Sequence, residues 1–357
     1  MVGTGLCNQL FSFINHLLLC ATNSSTDIKI LILNNFCKGI DTNEYCSIDT
    51  IIDLKSIENI IKEYNINIFL TSHITNIDLI DAKYGINNNF INLVDILKTP
   101  QSICINKKTN INNLCKKDPC NGIPKKIVIK FKINDNIYIQ ETNELCGHIK
   151  EDIDMIFDIN NTNNYKYSVI LTENSRKHIE KFNNLFRQLK FNDMFYKIVD
   201  NFWDSIDTKY TIINIFHLRI EKDALYFWSK LNSMSESIFT NKLTSKYIYL
   251  INKYITKSDN ELTIVLSAST SNNIIDYMIS NNYNIIQSPK NILVGRELNA
   301  IVDLLISKKC NNVYIGNYNP ITLTGSTFSY GVSTIITNQI KRVTIDLDHI
   351  DDDEYTL

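Results

Sequence analysis

Apolar residues follow two different rhythms along this chain, and the changes between them mark out its elements. Leu10, Phe11, Ile14, Leu17 and Leu18 recur at three- and four-residue intervals, the spacing of one helix face, behind a glycine turn at Gly3-Thr4-Gly5. The run Ile28 to Leu33 then reads as a strand. Over 51–100, short Ile-rich runs alternate with polar turns, which predicts further strand and helix pairs. Residues 101–165 are less regular, with Pro119, Pro124 and an alternating strand around Ile127 to Ile133. Helical spacing returns over Ser175 to Asp204, carried by Phe182, Leu185, Leu189, Phe195, Ile198, Val199 and Phe202.

Beyond residue 205 the pattern is clearer. Ile212 to Phe216, Thr263 to Leu266, Asn284 to Gln287 and Val313 to Ile315 are short apolar runs of the kind that strands buried on both faces require. Helical segments near 241–256, 272–280 and 296–309 lie between them. Such alternation predicts parallel sheets covered on both faces. Two units, 1–205 and 206–357, give an expected α/β architecture of two Rossmann-like domains facing a cleft. Ligands of these sheets sit beyond the carboxyl ends of the strands, so the residues that follow each strand carry the chemistry.

Composition narrows the function classes. Hydrophobic residues make up 44% of the 357, enough for sizeable cores. Lys plus Arg number 36 against 38 Asp plus Glu, a net charge of -2, which argues against a nucleic-acid protein working by bulk electrostatics. No run of about 18 apolar residues appears, so no membrane span is expected. Asn and Ile reach roughly one residue in seven and one in six, far above ordinary usage, the trace of an AT-rich genome. Asn87-Asn88-Asn89 and Asn160 to Asn164 therefore read as loop tips. Met1 and Val2 run straight into the glycine turn without a secretory leader. A complete chain is expected to be cytoplasmic with its nine cysteines reduced. A trimmed one would be lumenal, in the ER or Golgi, with Cys104, Cys115, Cys120 and Cys146 as disulfides of one loop region. A zinc site would draw on Cys115, Cys120, Cys146 and His148, but the paired C-x-x-C of such sites is absent.

The segment His217-Leu218-Arg219-Ile220-Glu221-Lys222-Asp223 directly follows the strand Ile212 to Phe216. An Arg in that place suits a pyrophosphate, because its planar fork donates two parallel hydrogen bonds. Asp223 is placed to orient Arg219 or to bind an acceptor hydroxyl; a salt-bridge cluster that opens a helix would look the same. The segment resembles the H-x-R-x-x-x-D signature of the protein O-fucosyltransferase family, especially its plant-type branch. Leu189-Lys190-Phe191-Asn192 and the helix to Phe202 resemble the family's upstream segment. Glu297-Leu298-Asn299-Ala300-Ile301-Val302-Asp303 is similar to the helix that bears its donor-site Asp. Gly325-Ser326-Thr327-Phe328-Ser329 resembles its S-T-F donor motif, and Gly3-Thr4-Gly5-Leu6-Cys7-Asn8-Gln9 its glycine turn. That turn is also similar to the GxGNQ pattern of α-1,2-fucosyltransferases, whose H-x-R-R-x-D places Asp one residue nearer; Ile220 stands here instead of the second Arg.

The resemblance implies a GT-B glycosyltransferase: an inverting, metal-independent fucosyltransferase that uses no cofactor and moves L-fucose from GDP-fucose to a protein or glycan hydroxyl. It implies that Arg219 holds the pyrophosphate together with Ser326, Thr327 and Phe328, that His217 and Asp303 recognise the nucleoside, and that Gly5 lines the donor site. Asn8 would sit at the sugar and acceptor end, and Asp223 or Glu221 would supply the base. A relative using UDP-rhamnose, or a catalytically dead glycan-binding relative, is the alternative. Asp152-Ile153-Asp154 and Asp346-Leu347-Asp348 match the DxD of metal-dependent transferases, a pattern common by chance at this acidic content. There is no G-x-S-x-G hydrolase elbow, and Asn8 stands where a GxGxxG fingerprint needs its third Gly.

Overall fold

The computed structural model describes residues 6–22, 29–32, 36–39, 44–64, 68–71, 77–86, 88–94, 102–105, 110–120, 123–133, 136–145, 148–149, 153–156, 176–269, 272–290 and 292–357. The structure is mixed α/β. Its contacts group it into two units, neither continuous in sequence: Met1, Cys20–Asn34 and Tyr64–Lys166 form one, and Val2–Leu19, Asn35–Glu63 and Tyr167–Leu357 the other.

In the first of these units the larger sheet is antiparallel. Its strands lie in the order His148–Ile149, Asn136–Leu145, Lys126–Ile133, Ile77–Ile86, Asn89–Asn92. Ala82, Tyr84, Ile127 and Ile129 are fully buried, while Ile137 and Ile139 are more than half exposed, so one face is core and the other is wet. The strand-helix alternation expected over 51–100 thus runs through the helix Leu54–Glu63 and the strand Ile68–Thr71 and ends there, and a hairpin follows. In a chain this rich in Ile, apolar content does not separate strand from helix; the period-2 burial of Ala82 and Tyr84 around exposed Lys83 does. Lys29–Ile32 pairs in parallel with Ile68–Thr71.

The second unit holds the expected parallel sheet. Its strands are β1 (Ile212–His217), β2 (Glu261–Leu266), β3 (Ile285–Gln287), β4 (Val313–Gly316), β5 (Lys341–Thr344) and β6 (Tyr355–Thr356), in the order β3-β2-β1-β4-β5-β6. All neighbours are parallel except β6. β2 and β4 are buried at every position, as strands covered on both faces must be. The helices of this unit are α1 (Leu6–Thr22), α2 (Ile179–Gln188), α3 (Asp193–Asp204), α4 (Lys222–Leu231), α5 (Glu236–Tyr254), α6 (Asn273–Ser280), α7 (Arg296–Ile306) and α8 (Thr327–Ile335), with Leu54–Glu63 beside them. The helical stretch 175–204 is two helices because Asn192 turns extended, its side chain accepting from Met194 N–H at 3.3 Å, and opens a new one. Asn272 opens α6 in the same way, bonding the N–H groups of Ile274 and Ile275. On α1 the predicted apolar stripe is fully buried, and the Phe11 ring meets Phe182, Phe186 and Tyr330 edge-on at 5.2–5.8 Å. That stripe ties α1 to α2 and α8, and Cys7 in the first turn of α1 lies against Gly331 in the middle of α8.

Candidate active site

The chain leaves β1 towards β2 on one side and returns to β4 on the other, so the strand order reverses between β1 and β4. A crevice opens at such a point beyond the carboxyl ends of the strands. β1 ends at His217 and β4 at Gly316, and the residues that follow both strands meet. The loop after β4 folds back on itself: Tyr318 pairs with Gly325, and Ser326 N–H donates to the Asn317 carbonyl at 2.8 Å. Gly325 sits at φ +98°, where a Cβ would lie 2.9 Å from the Tyr318 Cα, so only glycine fits.

Ser326 is the N-cap of α8, its hydroxyl accepting from Ser329 N–H at 3.3 Å. The N–H groups of Thr327 and Phe328 have no partner among the described residues, which leaves two donors and the positive end of the helix at the crevice. The Phe328 ring stands edge-on to His217 at 5.0 Å. His217 and the first turn of α8 are therefore neighbours, and Arg219 lies two residues further on.

Arg219 donates to Glu221 at 2.5 Å and to Asp223 at 3.3 Å, and its guanidinium lies 5.8 Å from the centre of the Trp228 ring. Its side chain is 18% exposed, so the fork is held against the protein with one side open. Five N–H donors are available on a guanidinium, and these two carboxylates leave several for a ligand. Both acidic residues of the segment orient Arg219, and the cluster also opens α4, for which Glu221 is the N-cap residue.

Asp303 does not face solvent from mid-helix. It is buried and receives Lys290 Nζ at 3.0 and 3.3 Å, while the same ammonium donates to Ser288 Oγ at 2.7 Å. Burial pushes the Asp303 carboxyl up from its ordinary range, against the pull of the Lys290 charge and the Ser288 hydroxyl. His217 is buried too, and its pKa is lowered to about 3 by burial and by the Arg219 and Lys290 charges; its ring is neutral at ordinary pH. Ser288 and Lys290 follow β3, so they also stand at a strand's carboxyl end.

Asn8 lies in the first turn of α1, and its Oδ1 is buried without a hydrogen-bond partner among the described residues. The Leu6 N–H at the start of that helix donates to the buried Glu297 carboxylate of α7, the helix that carries Asp303. Gly5 lies outside the described residues, as do Asp152 and Cys146. Asp346 and Asp348 are tied internally: Asn319 Nδ2 donates to Asp346 at 2.6 Å, and Trp228 Nε1 to Asp348 at 3.0 Å. Cys115 and Cys120 are free thiols. Among the described residues, no three His, Cys, Asp or Glu side chains gather as ligands for a metal ion. Reading the sequence alone missed Lys290, Asn317 and Ser329. The strand-end rule would have flagged Lys290 and Asn317; Ser329 closes the motif Gly325 to Ser329, but nothing in the sequence joins it to His217.

No family profile matches the chain, and no curated protein matches it. The likenesses are to solved structures. The Bradyrhizobium α-1,6-fucosyltransferase NodZ, soaked with GDP-fucose, is 14% identical with a TM-score of 0.32, over 50% of this chain and 52% of that one. A mutant of Arabidopsis thaliana FUT1 in complex with GDP is 12% identical with a TM-score of 0.30, over 48% of this chain and 39% of that one. POFUT1 in complex with GDP-fucose is 9% identical with a TM-score of 0.44, over 94% of this chain and 92% of that one. This chain thus aligns with about half the length of NodZ. Of these structures, NodZ is a fucosyltransferase, and POFUT1 is in complex with GDP-fucose. At such identities a likeness of fold does not bring an activity with it, and the site has to supply that argument.

Proposed function

We propose that the chain is an inverting, metal-independent fucosyltransferase that binds GDP-fucose at the crevice beyond β1 and β4 and passes the sugar to a protein or glycan hydroxyl. The observation that carries this reading is the packing of the Phe328 ring 5.0 Å from His217, which sets the open N–H groups of Thr327 and Phe328 beside the segment that carries Arg219, at the reversal of strand order. Fixed donors aimed at one place are what a departing diphosphate needs, since they stabilise its growing charge without a cation. Ser326 caps α8 with a lone pair and keeps its O–H free to donate to the same anion. Glu221 and Asp223 hold Arg219 in line, and either carboxylate, once the guanidinium turns to the phosphates, is available as the base for the acceptor hydroxyl. The unpartnered Asn8 Oδ1 is an acceptor suited to a sugar hydroxyl.

The base is read by Asp303 and Lys290 together. An ammonium beside a carboxylate presents a donor next to two acceptors, the complement of guanine's O6, N1–H and N2–H₂. Uracil would set a carbonyl against the carboxylate and leave it partly unpaired, at about 1–3 kcal/mol, or roughly tenfold in affinity. Asp303→Ala is expected to shrink the gap between GDP and UDP chiefly by weakening GDP.

The test is transfer itself. GDP-fucose is incubated with the chain and a panel of peptide and glycan acceptors, and released GDP is followed beside fucosylated product. Product with GDP-fucose and none with UDP-rhamnose supports the reading. Turnover with UDP-rhamnose alone would move the rhamnosyl alternative ahead, and absence of product with every donor would return the chain to the binding proteins.

A further inference from the structure

Behind the donor residues lies a buried chain of hydrogen bonds whose directions are determined throughout. Arg219 N–H donates to Tyr247 Oη at 3.2 Å, and the Tyr247 hydroxyl donates to Asn317 Oδ1 at 2.5 Å. The other end of that amide, Nδ2, donates to the His217 carbonyl at 2.7 Å, so reversing the Asn317 side chain would set its Oδ1 against that carbonyl, acceptor against acceptor. The Asn317 backbone N–H donates to Ser329 Oγ at 3.0 Å, and Ser329 Oγ lies 2.5 Å from His217 Nδ1. Tyr247, Asn317 and Ser329 are fully buried and His217 nearly so, so no water substitutes for a missing partner.

This arrangement decides a question that the ring alone leaves open. Ser329 Oγ already accepts from Asn317 N–H. A proton on His217 Nδ1 would make it accept again, and the Ser329 O–H would then have no acceptor among the described residues. With Nδ1 bare, the Ser329 O–H points at it and every group is satisfied. Nε2 then carries the ring proton, and it has no protein partner among the described residues.

We propose that Ser329, itself held by Asn317, locks His217 as the Nε2–H tautomer, so that the ring offers the donor nucleotide a hydrogen-bond donor and never a charge. The ligand in this statement rests on the function proposed above; the lock does not. Ser329 acts through His217 and is a positioning residue. Burial opposes a second proton on the ring, and the charges of Arg219 on the same segment and Lys290 in the loop after β3 add to it. A diphosphate or carbonyl oxygen of the ligand would receive the Nε2–H.

The tautomer is read directly. The full chain, labelled with ¹⁵N-histidine, gives long-range ring correlations, and His217→Gln identifies the signals of His217 among the six histidines. The expected result is a single Nε2–H ring that does not titrate between about pH 5 and pH 8. Ser329→Cys keeps the volume but offers only a weak S–H donor, and Ser329→Ala removes the group. Both variants should let the Nδ1–H form appear and weaken GDP binding about tenfold or more. A wild-type ring that carries Nδ1–H, or that titrates near the ordinary histidine range, overturns the lock. So does an unaltered ring pattern in both variants. Wild-type protein that binds no guanine nucleotide overturns the function proposed above, whatever the ring shows.

Discussion

Arg219 is the residue whose replacement separates charge from geometry. Arg219→Lys keeps one positive charge but loses the fork held between Glu221 and Asp223, and a lost oxyanion-type donor costs about a hundredfold or more in turnover. Steady-state transfer by Arg219→Lys should therefore fall nearly as far as by Arg219→Ala; near-normal turnover would remove Arg219 from the pyrophosphate. His217 makes a prediction about stability. Its ordinary pKa of 6.5 applies to the unfolded chain and a value of about 3 to the folded one, so below 6.5 the unfolded state binds the extra proton. Its contribution to stability is complete above 6.5 and is lost as the pH falls through the window down to about 3. Denaturant titrations of wild type and His217→Gln should differ most above that window and converge as it is crossed, whereas a constant difference would mean that the ring is not held neutral. Both residues were legible in the sequence because they end a clear strand. Asp223, a partner of Arg219, was legible with it, but Ser329 as the partner of His217 and Lys290 as that of Asp303 were not, since the first pair stands 112 positions apart and a loop that only the fold closes separates the second.

At the level of elements, β1 to β4 of the second unit were legible because a parallel strand covered on both faces is largely apolar, whereas β5 (Lys341–Thr344), which opens on Lys341 and Arg342, and the two-residue β6 were not. Of the antiparallel sheet of the first unit, the alternation of Ile127 to Ile133 revealed the central strand Lys126–Ile133, but its neighbours Ile77–Ile86 and Asn136–Leu145 were not read, because enrichment in Ile blurs the alternation that identifies a one-sided strand. Two glycines carry their own tests. Gly331 lies where α8 approaches α1, and a Cβ there would meet Cys7 Sγ at 2.6 Å. Gly331→Ala should destabilise by about 1–3 kcal/mol, as overpacked cores do. Adding Cys7→Ala should recover part of the loss, and strictly additive midpoints in thermal unfolding would show that the two helices do not meet as described. Gly325→Ala forces a side chain into φ +98° against Tyr318 and should shift the start of α8, reducing nucleotide affinity more than a change remote from the crevice would.

At the scale of the whole molecule, the question is how a diphosphate is held. No helix among the described residues is long and apolar enough to cross a membrane. Asp346 and Asp348, which matched the metal-binding pattern, spend their oxygens on Asn319, Trp228 and the Asp348 N–H. Transfer should therefore persist in EDTA, and turnover that stops on chelation and returns with Mn²⁺ would direct attention back to these pairs. The central claim is that helix α8, Arg219 and the Asp303–Lys290 pair form one guanine-diphosphate site. Isothermal titration of the wild-type chain with GDP and UDP in the presence of EDTA tests it most directly. The account predicts saturable GDP binding at one site, about tenfold or more tighter than UDP. Equal affinity for the two nucleotides, or no binding of either, would contradict it.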